Sequence, residues 1–166
     1  MASAIETRHG SRLGPLDPAT ADAIALLPGL GLLALEADGS RLLPFKAPGE
    51  GEPALAPCVT HVVAVVGIDA LDAPLDAAHV HRPERVRAIV DRATCDAALI
   101  AEVLASPRGG RKDVGTRSFT VIVNKADLDP EGALRLGHAI RDAGVARVLI
   151  TRLTHEEAPL VAILGG

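Results

Sequence analysis

Three short stretches of this 166-residue chain hold side chains whose types and spacing suit chemistry at a ligand. In Glu36-Ala37-Asp38-Gly39-Ser40, two carboxylates follow an aliphatic run, and Arg41 and Lys46 come just after. In Gly67-Ile68-Asp69, a third carboxylate follows a second aliphatic run. In Asn124-Lys125-Ala126-Asp127, an amide, an amine and a carboxylate follow a third. Acids in such positions suit Mg²⁺ held against nucleotide phosphates, often through water. Asp38 is the candidate metal ligand and Glu36 the second acid or water-orienting group, which makes these two the candidate catalytic pair. Each stretch by itself also suits an ordinary polar turn, because Asp and Gly are turn formers.

The Asn-Lys-x-Asp stretch has the most specific chemistry. A carboxylate such as Asp127 accepts two parallel hydrogen bonds from guanine N1–H and its exocyclic amine, a pair that adenine does not offer. Asn124 is suited to tie the loop down, and the aliphatic stem of Lys125 to cover the base plane. GTP and Mg²⁺ are therefore the expected ligands. The other reading of these four residues is a plain strand-to-helix loop. The phosphate-binding pattern G-x-x-x-x-G-K-[ST] is not met. Its nearest approach, 110–117, has its Lys out of place and precedes a strand instead of following one. His79 and His81 form an H-x-H pair suited to a metal, with Asp69, Asp72 and Asp76 near in sequence, although no third ligand is set by spacing. Arg82, next in line, suits an anionic ligand. His9, His61, His138 and His155 belong to no constellation, and no nucleophile–His–acid triad is found.

These residues need elements to position them. The runs 31–36, 61–66, 118–124 and 147–151 are nearly continuous in apolar residues, the pattern of strands covered on both faces in a parallel sheet. Weaker strand candidates are 2–7 and 160–164. Helical patterns occupy 17–27, 82–93, 95–105 and 129–144. Asp17 and Asp129 stand as N-caps before Pro18 and Pro130, and Gly144 as a stop. Strands alternating with helices give an α/β layered domain, and in such sheets ligands bind beyond the carboxyl ends of the strands. All three chemical stretches fall at such ends. The Pro- and Gly-rich segment 41–58 reads as a long ordered loop of the kind that carries function, and 106–117 as a basic, glycine-rich one. No repeat or domain boundary is visible.

Composition narrows the class. The length supports one domain, and with two Phe and no Trp or Tyr its core must be aliphatic. A net charge of −4 argues against nucleic acid. No run has the length of a membrane span. The first ten residues lack a secretory apolar core. Cys58 and Cys95 fit no metal spacing and suit a reducing cytoplasm.

Taken in order, 36–48 (EADGSRLLPFKAP), 65–84 (VVGIDALDAPLDAAHVHRPE) and 123–128 (VNKADL) resemble the YqeC family of selenium-dependent molybdenum hydroxylase accessory proteins, also called selenium cofactor biosynthesis proteins. The resemblance runs from about Leu13 to Leu153. It implies a three-layer, mostly parallel, P-loop NTPase-like α/β fold. It also implies a role in maturing selenium-dependent molybdenum hydroxylases, with those enzymes or their cofactor-maturation proteins as partners. Glu36, Asp38, Gly39, Ser40 and Arg41 match the family's acidic motif, and Lys46, Ala47 and Pro48 the loop after it. Gly67, Asp69, His79, His81, Arg82 and Pro83 match its central signature, and Asn124, Lys125 and Asp127 its base motif. Family members carry a GKTT-type phosphate loop ahead of the first motif. No such segment precedes it here, so an N-terminally truncated sheet is expected, with GTP hydrolysis by this chain alone not expected. Two other classes compete with this reading. One is a non-catalytic partner-binding module, and the other a metal-binding protein using His79 and His81. The oligomeric state is left open.

Overall fold

The structure is a computed structural model. It describes residues 4–7, 10–13, 16–154 and 157–166, the first two stretches as backbone only. His9, His155 and the first two residues of the candidate strand 2–7 lie outside the described residues.

The central sheet has four strands: β4 (His61–Gly67), β6 (Ser118–Asn124), β7 (Val148–Thr151) and β8 (Leu160–Leu164), in the order β4-β6-β7-β8. The first three are parallel, with Val62 beside Phe119, Gly67 beside Asn124 and Val121 beside Val148, while β8 runs antiparallel to β7. Two smaller pairs accompany it. The strands β1 (Ala4–Thr7) and β2 (Gly10–Leu13) form an antiparallel pair, and β3 (Phe45–Lys46) lies parallel to β5 (Val80–His81). Four helices complete the described residues: α1 (Pro18–Ala25), α2 (Pro83–Arg87), α3 (Ala97–Ala105) and α4 (Pro130–Asp142). The α/β class, with mixed sheets, is what the structure shows.

Local chemistry accounts for the helix starts. Asp17, Asp96 and Asp129 each accept a hydrogen bond from a main-chain N–H three residues on, from Thr20, Leu99 and Gly132. Asp22 of α1 accepts from the Cys58 N–H at 2.9 Å and so ties that helix to the long loop. The helix expected over 82–93 closes early, at Arg87. Residues 93–95 instead bond back to 72–75, with Asp72 N–H donating to Cys95 O and Cys95 N–H to Ala73 O. A long-range backbone pairing replaces the helical one.

The core lies on one face of the sheet. Val62, Val66, Phe119, Val121, Val123, Val148 and Ile150 are buried together with Leu99, Ile100 and Val103 of α3 and Leu136 and Ile140 of α4. On the opposite face, Val63, Val65 and Ile163 remain 47%, 57% and 57% exposed. The expected three layers are therefore two among the described residues, because α3 and α4 both pack on the same side.

The strand expected at 31–36 is not formed. Residues 30–40 are extended coil without a ladder, and Leu32 is 83% exposed. An aliphatic run becomes a strand only where another backbone edge receives its N–H and C=O groups. Here β4 stands at the end of the strand order without it. Glu36 and Asp38 thus travel on a loop, not on a strand end.

One-sided burial predicts unequal sensitivity along β4. Val66→Ala removes a fully buried side chain and should cost about 2 kcal/mol from lost burial and cavity formation. Val65→Ala should stay within about 0.5 kcal/mol, as surface changes do. Urea unfolding midpoints measure both, and equal losses would contradict the one-sided core.

Candidate functional site

The carboxyl ends of β4 and β6 are adjacent through the Gly67–Asn124 register. Pro44, just before β3, closes against this rim, where its carbonyl accepts from Gly67 N–H at 2.9 Å. Gly67 has no room for a side chain: a Cβ there would collide with Asp69 Oδ1 and press on Pro44. This close approach brings the 38–53 loop and β5 next to the ends of the parallel strands.

At the β6 end, Asn124 Oδ1 accepts from Thr151 Oγ1 at 3.1 Å and from Leu153 N–H at 3.0 Å. Ala126 N–H donates to Thr151 O, which fastens the loop a second time. Lys125 has a left-handed backbone, φ 62°, and its Nζ reaches Asp69 Oδ2 at 2.6 Å. Asp69 and Lys125 therefore bridge the β4 and β6 loops. Asp127 is exposed on the turn that leads into α4. Nearby, Arg135 of α4 pairs with Asp72 at 3.0 Å.

The second group centres on a residue that the motif reading did not single out, Glu52. Its carboxylate accepts from Arg82 Nη1 at 2.6 Å and Nη2 at 3.0 Å, from Lys46 Nζ at 2.9 Å and from Gly49 N–H at 3.0 Å. Lys46 also pairs with Asp38 at 2.8 Å and donates to Gly39 O. Lys112, from the basic glycine-rich loop, donates to the carbonyls of Glu50 and Glu52. Arg82 holds a left-handed conformation, φ 60°, ahead of Pro83, a backbone state that costs roughly 1–3 kcal/mol unless its surroundings hold it. Its two-pronged bond to Glu52 is such a restraint. The signal for Glu52 was present in the Gly-Glu-Gly-Glu-Pro run of the long loop, but its partners are distant in sequence.

The electrostatics follow from this packing. The Arg82 hydrogen bond, opposed by burial and reinforced by Gly49 N–H and Lys46, holds the Glu52 carboxyl far below the usual carboxylate range. His81 is buried in β5, and burial together with the charges of Arg82, Lys46 and Arg41 pushes its pKa down. Burial also raises the Cys95 thiol to about 11, so it behaves as a core residue.

The H-x-H pair is split between two environments. His79 sits on a turn, where its Nδ1 meets Asp76 at 2.7 Å, while His81 points into the protein. Among the described residues, no group of three or more His, Cys, Asp or Glu is arranged to hold a metal ion. Glu36 is exposed and Arg41 is exposed with φ 54°. A Mg²⁺ ion bound mainly by phosphate oxygens and water needs only one or two carboxylates. In the structure Asp38 is instead held by Lys46.

The fold and rim define an α/β protein with a polar edge at the ends of its parallel strands. The family model described as YqeC protein matches residues 2–84, half of the chain, and the chain belongs to the YqeC family. That match takes in Asp38, Lys46, Glu52, Asp69, His81 and Arg82, and ends before the Asn124–Asp127 loop. The chain is 32% identical over 100 residues to the protein named Uncharacterized protein YqeC of Escherichia coli (strain K12). The alignment covers 58% of this chain and 39% of the relative's length. No solved structure matches the chain.

The pKa directions set a pH dependence. Both Glu52 and His81 bind protons less readily in the folded protein than in the unfolded chain. The stability each contributes is therefore present above its ordinary pKa and lost as pH falls through the lowered one. For His81 the loss begins below its ordinary 6.5, and for Glu52 below its ordinary 4.5. In thermal melts against pH, His81→Gln should flatten the upper part of the acid limb and Glu52→Gln the lower part. Unchanged profiles would contradict the assignment.

Proposed function

We propose that this protein is a cytoplasmic accessory factor in the maturation of selenium-dependent molybdenum hydroxylases, and that it works by binding guanine nucleotide at the rim of its parallel sheet. Membership of the YqeC family supports the first part of this reading. The single observation that carries the second is the placement of Asn124-Lys125-Ala126-Asp127. This loop leaves the carboxyl end of a buried parallel strand, is fastened to β7 through Asn124 and Ala126, and leads into a capped helix. Ligands of open α/β sheets bind at such a place. In this reading Asp127 addresses the guanine edge, and Asp38 with Glu36 addresses Mg²⁺ at the phosphates. The parallel order β4-β6-β7, crossed by α3 and α4, is compatible with descent from a P-loop nucleotide-binding protein. The partners would be the hydroxylases or the proteins that mature their cofactor.

A second reading, a non-catalytic module that docks on such a partner, draws on a different observation. Asp38 and Glu52 are already neutralised inside the chain by Lys46 and Arg82, and among the described residues Val63, Val65 and Ile163 of one sheet face stay about half exposed.

Calorimetric titration with GTP and ATP in the presence of Mg²⁺ tests the nucleotide reading. GTP should bind at least about 10-fold more tightly than ATP, and Asp127→Asn should abolish that preference by removing the two-bond acceptor. No guanine binding, or a preference that survives Asp127→Asn, sinks it. The maturation role is tested in a host that makes a selenium-dependent molybdenum hydroxylase. Deleting the gene should lower the enzyme's selenium content and activity, and unchanged values would exclude the role.

A further inference from the structure

Four donors converge on one carboxylate in the long loop. Both terminal nitrogens of Arg82, the Lys46 ammonium and the Gly49 main-chain N–H all point at Glu52. A planar guanidinium, a compact cation and a backbone amide meeting from different directions form an oxyanion cradle. The cradle is open to solvent, since the side chains of Glu52 and Arg82 are 26% and 31% exposed. It is also built to a close tolerance. A Cβ on Gly49 would lie 2.7 Å from Arg82 Nη1 and 3.3 Å from Glu52 Cδ, so a larger residue there would have to push the Arg82 guanidinium aside.

The occupant of this cradle is carried by a glycine-containing loop segment, 49–53. Glu52 ends a Gly-Glu-Gly-Glu stretch, and nothing stands within 4 Å of a Cβ built on Gly51. The segment is held by a latch from outside, Lys112 Nζ on the carbonyls of Glu50 and Glu52. The charge of Arg41, like those of Lys46 and Arg82, acts on His81 and lowers its pKa.

We infer that Glu52 is an internal stand-in and that Lys46, Gly49 and Arg82 form a binding site for a phosphate-type oxyanion, exposed when the 50–53 segment swings away from Gly49. The carboxylate brings one negative charge. A phosphate dianion brings up to two and more acceptor oxygens, so it competes with Glu52 for the same donors. Asp38, held by Lys46 at 2.8 Å, limits the site to small anions that share that lysine. The inference does not depend on the guanine reading, because it concerns inorganic phosphate as well as a phosphate carried by a larger molecule.

The test is titration of the full chain with inorganic phosphate, followed by ³¹P NMR line width and by calorimetry at constant ionic strength in chloride. Wild type should bind saturably. Glu52→Gln, which weakens the internal competitor, should bind about 10-fold more tightly, and Arg82→Gln about 10-fold more weakly, the scale of one charge-assisted contact. Lys112→Ala, which releases the latch without touching the cradle, should also tighten binding. Circular dichroism checks that each variant is folded. If Arg82→Gln does not fold, Glu52→Gln and Lys112→Ala carry the test. Absence of saturable binding by wild type overturns the inference, even if Glu52→Gln binds. So does equal affinity of wild type, Glu52→Gln and Lys112→Ala. Competition by GTP that Asp127→Asn removes would assign the oxyanion to a nucleotide, and phosphate binding without GTP competition would assign it to a free anion.

Discussion

The carboxylate of Glu52 is the interaction on which the long loop depends. Without it, Lys46 and Arg82 would be two cations in a partly buried space with Asp38 as their near counter-charge, and the left-handed turn at Arg82 would lose its restraint. With it, the loop, β3, β5 and the start of α2 are joined by charge-assisted bonds, the stronger kind of hydrogen bond. Lys112 extends the knot to the glycine-rich loop before β6. These polar bonds add to the packing of Phe45, Ala47, Val80 and Val86, which are buried in the same core as the sheet.

The parallel sheet lies under α3 and α4. Its strand interiors are largely aliphatic. The strands supply position, by ending β4 and β6 side by side and by leaving Gly67 bare so that Pro44 can close on the rim. The Asp69–Lys125 pair then bridges the two strand ends. The Gly67 N–H to Pro44 O bond, together with the burial of Phe45 in the core shared with Val66, places the rim beside the Glu52 knot. On the sheet's other face, Val63, Val65 and Ile163 stay about half exposed among the described residues.

Several elements were legible from residue order alone. The strands at 61–67, 118–124, 148–151 and 160–164 and the helix starts at Asp17 and Asp129 were readable because burial pattern and capping are local properties. The strand expected at 31–36 was not a strand, since hydrophobicity says that a segment avoids water and not which backbone edge will receive it. The helix expected over 82–93 ended at Arg87 because residues 93–95 found backbone partners at 72–75, a choice made across twenty residues. At the site, Asp38, Lys46, Asp69, Arg82, Asn124 and Lys125 were all visible as chemically able residues, but their pairings were not. Glu52 went unseen for the same reason.

By itself, then, the sequence determined an aliphatic α/β domain, the places where its parallel strands end, the helix caps and the chain's membership of the YqeC family. Each of these depends on neighbours within a few residues or on the order of motifs along the chain. The tertiary structure alone decided that both core helices pack on one face, that the Glu36–Asp38 segment arrives as a loop, and that His79 and His81 part company. It also decided that Glu52 sits within reach of Lys46, Gly49 and Arg82. Those outcomes rest on contacts between distant segments, where competing partners and the space left by packing set which charges meet.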